Sequence, residues 1–139
     1  MRGVRVWEKM PILFEKEYQD VGQSEYAEQA ELIKWARARG GKIKCLLFLH
    51  SSLNGEALTK GQRIKAIRGG LLSGVPDLFL PYPSGSFHGL FIEMKTRQGR
   101  QSIKQRAFQE YVESVSYKYI LTRAWHEARD SIIEYLYGR

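Results

Sequence analysis

The stretch GVPDLFLPYPSGSFHGLFIEMK, from Gly74 to Lys95, decides how this chain is read. Two short apolar runs, Leu78 to Leu80 and Leu90 to Ile92, flank PYPSGSFHG, whose Pro, Ser and Gly content marks a turn. The pattern predicts two strands joined by a loop. Asp77 enters the first strand and Glu93 leaves the second, while Lys95 follows Glu93 at the strand period of two and shares its face. If the strands run antiparallel with Phe79 opposite Phe91, Asp77 falls opposite Glu93. Two carboxylates and an ammonium then converge at one end of a hairpin.

Like charges facing each other weaken a strand ladder, and crowded carboxylates raise each other's pKa unless a positive charge joins them. A divalent cation can supply that charge, because Mg²⁺ takes hard oxygen ligands, usually one or two carboxylates with water and phosphate. Strand-end charges facing solvent are the other reading of the pattern. Charge distribution bears on the choice. Between Lys60 and Arg106 stand nine basic residues and two acids, Asp77 and Glu93. The acids are the candidate ligands.

The 139 residues suit one domain with a real core, and 43% hydrophobic and 27% charged residues describe an ordinary globular chain. A net charge of +7 permits a polyanionic partner. Cys45 is the single cysteine, so no intrachain disulfide or cysteine metal cluster is possible. His50, His88 and His126 are scattered without ligand spacing. No stretch reaches membrane-spanning length and the N-terminus lacks the apolar run of a signal peptide, so a cytoplasmic protein is expected.

Residues 1–22 show no persistent period and read as an N-terminal arm ahead of a domain over 23–139. Ser24 predicts an N-cap for a helix that stops at Gly40-Gly41, with Gln29, Leu32, Ile33 and Ala36 on its inner stripe. Glu28 lies along the edge of that stripe, with Glu25 and Glu31 on either side in sequence. Ile43 to Leu49 is apolar enough for a buried strand. Lys60 to Arg68 predicts a short helix whose Lys60, Arg63, Lys65 and Arg68 form either a solvated face or a phosphate-contacting patch. Beyond Lys95, Arg97, Arg100 and Lys104 surround a basic loop. Ser102 and Gln105 then match a capping box, opening a helix with Ala107, Phe108, Tyr111, Val112 and Val115 on one stripe. Gln105 can close that box or orient a water or phosphate near the hairpin. A strand over Tyr117 to Thr122 and a helix over Ala124 to Tyr137 complete an α/β order that implies a central mixed β-sheet flanked by helices.

With GVPDLF, GLFIEMK, the first-helix glutamate and the SxxQ element in this order and spacing, the chain resembles the VRR-NUC nucleases of the PD-(D/E)xK superfamily. The stand-alone members common in bacteriophages are the most similar, and the resemblance spans roughly Ser24 to Leu136. It implies a restriction-endonuclease-like core with Glu28, Asp77, Glu93, Lys95 and Gln105 as catalytic residues. Glu28, Asp77 and Glu93, with the Met94 carbonyl, would hold Mg²⁺ or Mn²⁺, as one ion or two. Double-stranded or branched DNA is the implied partner, cut by a structure-selective endonuclease acting as a homodimer. Lys60, Arg63, Lys65, Arg68, Arg97, Arg100 and Lys104 would contact phosphates. A non-catalytic DNA-binding module or a dimerising scaffold of the same fold is the competing expectation.

Overall fold

The computed structural model describes residues 24–52 and 58–138; the N-terminal arm lies outside them. Helix α1 (Glu25–Arg39) begins where Ser24 Oγ accepts the Ala27 amide, as its sequence predicts, and ends at Gly40. It buries Ala27, Leu32 and Ala36. Strand β1 (His50–Ser51), helix α2 (Lys60–Arg68), strands β2 (Leu78–Leu80) and β3 (Leu90–Met94), helix α3 (Ile103–Ser114), strand β4 (Lys118–Thr122) and helix α4 (Trp125–Tyr137) follow.

The strands lie in the order β1, β2, β3, β4, antiparallel except for the parallel β3–β4 pair, which α3 connects. This is the expected mixed sheet with helices on both faces. Leu78, Leu80, Leu90, Ile92 and Met94 share a core with Leu32, Ala36, Ala128 and Ile132, placing α1 and α4 against one face. On the other, Phe91 meets Phe108 of α3 edge-on, with ring centroids 5.2 Å apart, and stacks on Phe79 at 4.5 Å. Alternation along β3 thus sends Glu93 to the α3 side with Phe91.

Two expectations need correction. The segment 43–49 is no strand: Lys44–Phe48 form a 3₁₀ turn, and pairing starts only at His50. Gly40 and Gly41 end α1 so close by that the chain must reverse before it can pair. The Arg37 guanidinium meanwhile takes the Leu46 and Leu49 carbonyls at 2.9 and 2.7 Å, satisfying acceptors a strand would have given to the ladder. The α3 stripe is also narrower than its period suggests. Val112 is buried and Phe108 half-buried, but Ala107 and Tyr111 face outward because α3 covers the sheet with one edge only.

The turn into β2 is fixed by Gly74, whose φ of +95° is left-handed. A Cβ there would stand 2.6 Å from the Lys104 carbonyl oxygen and 3.1 Å from the Gln105 amide nitrogen. The chain entering Asp77 therefore runs against the backbone of the first turn of α3. Gly74→Ala combines backbone strain with a clash that no side-chain movement relieves, and should destabilise by about 2–3 kcal/mol. A urea midpoint equal to that of the wild type would show that this contact is not needed.

Candidate active site

The hairpin has the register inferred from its sequence: Leu78 faces Ile92, Phe79 faces Phe91 and Leu80 faces Leu90. Asp77 sits one residue before β2 and reaches across it, its Oδ2 accepting the Met94 amide at 2.7 Å. Glu93 is only 2% exposed. Its Oε1 lies 3.6 Å from the Lys95 ammonium and accepts a 3.0 Å hydrogen bond from Gln105 Nε2. Its Oε2 is buried and accepts no hydrogen bond among the described residues from any group other than the neighbouring Asp77 carboxyl, with which Glu93 can share a proton.

Gln105 performs two tasks with one amide. Its Oε1 accepts the Ser102 amide at 2.8 Å while Ser102 Oγ accepts its own, closing the capping box. The remaining Nε2 is then aimed at Glu93. The capping geometry of α3 orients the side chain that holds the buried carboxylate, so a local helix signal and a site residue coincide.

Burial pushes the Glu93 carboxyl up to about 8, aided by the negative charge of Asp77 and opposed by Lys95. Asp77 is raised chiefly by burial, with Glu25 adding repulsion and the Met94 amide working against the rise. In neutral solution the pair therefore retains a proton unless another positive charge is present. A buried carboxylate oxygen whose only donor is a second carboxyl is the arrangement a hard divalent cation fits.

Glu28 lines the same cleft as Lys95 but is turned toward the start of α4. Its Oε2 accepts the Trp125 amide at 2.6 Å, so it caps the start of α4, whose N-cap Ala124 offers no side-chain acceptor. Among the described residues no three of His, Cys, Asp and Glu form a ready metal cluster. Glu25, three residues earlier, accepts the Thr96 amide at 3.2 Å and is the first-helix acid that acts electrostatically on Asp77. Both acids line a cleft of about 550 Å³ together with Lys95, Arg97, Gln98 and His126. Spacing of three put the two glutamates on neighbouring positions of one helix face, which is why sequence pattern did not separate them.

Sequence reading also passed over Arg123. Its Nη1 donates to the Thr96, Arg97 and Gly99 carbonyls at 2.6, 3.2 and 2.8 Å, tying the basic loop after Lys95 to the end of β4. An arginine after a strand carries no pattern that would announce this. Arg97, Arg100 and Lys104 are exposed around the site, and Lys60, Arg63, Lys65 and Arg68 are exposed on α2. None of these seven forms an ion pair among the described residues.

A mixed sheet between helices, with the paired acids and lysine at its strand ends, defines a PD-(D/E)xK-like α/β fold. The match to known proteins narrows this: residues 15–124 fit the VRR-NUC domain model. The chain belongs to the VRR-NUC domain family and so falls among nucleases. A solved structure described as a VRR_NUC domain protein superposes with a TM-score of 0.67 over 81% of this chain and 87% of that one, at 22% identity, which speaks for the shared fold alone. No curated protein is similar enough to count as a match.

Proposed function

We propose that this protein is a metal-dependent DNA endonuclease that hydrolyses phosphodiester bonds, selecting branched or junction DNA by shape with little sequence readout. The buried Glu93 oxygen with no donor among the described residues but the Asp77 carboxyl is the observation that carries this reading. Asp77 and Glu93 would hold Mg²⁺ or Mn²⁺ with the Met94 carbonyl, and Glu25 is better turned toward them than Glu28. When bound, such an ion activates water and neutralises charge developing on the phosphate oxygens. Lys95, beside Glu93, would orient the attacking water and meet the same developing charge.

Gln105 acts by holding Glu93 in place, since its carbonyl oxygen is committed to the Ser102 amide. Glu28 is a positioning residue that fixes the start of α4 along the cleft. Arg97, Arg100 and Lys104 would steer the backbone of the cut strand toward the site, and contacts of that kind carry affinity without base recognition. A homodimer would present two such sites to a roughly symmetric junction. Among the described residues no helix is long and apolar enough to cross a membrane, and the single cysteine suits the reducing cytoplasm.

The test is a side-by-side assay of the purified full chain on a four-way junction, a flap and a linear duplex, each with Mg²⁺ and Mn²⁺ titrated. Cleavage should require metal and favour the branched substrates. Equal, negligible cutting by wild type and Asp77→Ala across all three would leave a non-catalytic DNA-binding module as the better account.

A further inference from the structure

Helix α2 stands apart from the layers of the fold. It has no buried residue, and only Ala66 is even half-buried. Nine residues make a marginal helix in water. This one is capped at its N-terminus: Thr59 Oγ1 accepts the Gln62 amide at 3.2 Å and Gln62 Oε1 accepts the Thr59 amide at 2.9 Å. Among the described residues packing adds little to it, and its outer face is exposed.

Ala66 marks the side turned to the body of the protein. At about 100° per residue, Arg63, Ile67, Lys60, Ile64 and Arg68 occupy, in that order, an arc of about 140° directed largely away from it. Ile64 is 47% exposed and Ile67 51%. The apolar pair therefore runs along the middle of the outer face with Arg63 and Arg68 at its edges, and Lys60 lies on the wheel between the two isoleucines.

That placement selects the kind of partner. An apolar protein groove receiving this face would have to desolvate the Lys60 ammonium along with the isoleucines. A second copy would bring another chain of net charge +7 against three cations. A groove of duplex DNA meets both demands, because phosphates line its edges and sugars, base edges and thymine methyl groups lie between them. We infer that α2 docks in a groove of duplex DNA, with Arg63 and Arg68 on the phosphates along its edges and Ile64 and Ile67, with the Lys60 stem between them, against the groove wall. The inference rests on the nucleic-acid reading above and adds to it a contact that salt does not screen.

The experiment separates these two contributions. Binding of the full chain to a fluorescent duplex is measured by anisotropy over a range of salt, with chelator present so that nothing is cut. Ile64→Ser/Ile67→Ser should bind about tenfold more weakly at every salt concentration, with the wild-type slope of log K against log salt retained. Arg63→Ala/Arg68→Ala should flatten that slope by about two, roughly one for each lost phosphate contact. Both isoleucines are exposed, so the melting temperature of the serine variant should stay close to that of the wild type.

Affinity of the serine variant within twofold of wild type throughout would overturn the inference. So would unchanged DNA affinity accompanied by loss of a dimer in sedimentation velocity, which would assign the stripe to a second copy. The expected shift would support DNA docking even if wild type cut nothing, an outcome that strikes the catalytic reading alone.

Discussion

Asp77→Asn should lower the cleavage rate at saturating metal by a factor of about 10³ or more, while affinity for duplex or junction DNA stays within about threefold of wild type. Asparagine is the informative replacement because its Oδ1 can still accept the Met94 amide that Asp77 Oδ2 holds at 2.7 Å. The strand end is thus kept and only the charge is removed. A factor of 10³ corresponds to about 4 kcal/mol of lost transition-state stabilisation, which suits loss of a metal ligand better than a shifted loop. Glu93→Gln should fail to the same degree. Gln105→Ala should cost less, about 10- to 100-fold, because it unties Glu93 without removing a ligand. Glu25→Gln should reduce the rate more than Glu28→Gln. Initial rates under metal titration distinguish these cases, and an Asp77→Asn rate within tenfold of wild type would remove the aspartate from the chemistry.

The ordering of those effects follows what sequence could and could not convey. Hairpin register was legible because a period of two and a Pro- and Gly-rich turn permit few pairings, and Phe79 opposite Phe91 brings Asp77 to Glu93. Gln105 was legible through its capping box, although the box alone did not tell which amide atom would remain for Glu93. Where apolar content stood without a period, the reading failed. The run from Ile43 to Leu49 is buried as expected at Leu46, Leu47 and Leu49, yet its path is set by the reversal after α1 and by Arg37, neither of which leaves a local pattern. The first-helix acids were ambiguous for a related reason. Which of Glu25 and Glu28 faces Asp77 depends on how α1 lies against α4, since the Trp125 amide engages Glu28, and that contact spans 97 positions of sequence. Arg123 likewise acts through backbone carbonyls, which every residue offers, so its partners could not be read from residue types.

The second large effect is on stability, and its sign follows from the same carboxylate pair. Glu93 titrates near 8 in the folded protein against an ordinary 4.5, and Asp77 is raised in the same direction. Below about pH 4.5 both states of the chain are protonated at Glu93 and its contribution is complete. Between about pH 4.5 and 8 the native protein keeps a proton that the unfolded chain has released, so stability falls as pH rises. The metal-free protein should therefore melt roughly 5 °C or more lower at pH 8 than at pH 5.5. Mg²⁺ or Mn²⁺ should act in the opposite sense. Either ion competes with that proton, so the rise in melting temperature on adding metal should be small at pH 5.5 and grow toward pH 8, with a proton released on binding. Glu93→Gln supplies the control, because a neutral amide can replace the protonated acid beside Asp77 but cannot ionise. That variant should be the more stable protein at pH 8 without metal, lose most of the pH dependence, and gain little from either ion. A metal-free wild type whose melting temperature is flat from pH 5.5 to 8, parallel to Glu93→Gln, would mean that the buried carboxyl is not strained by its charge, and the case for a cation at the hairpin end would lose its electrostatic basis.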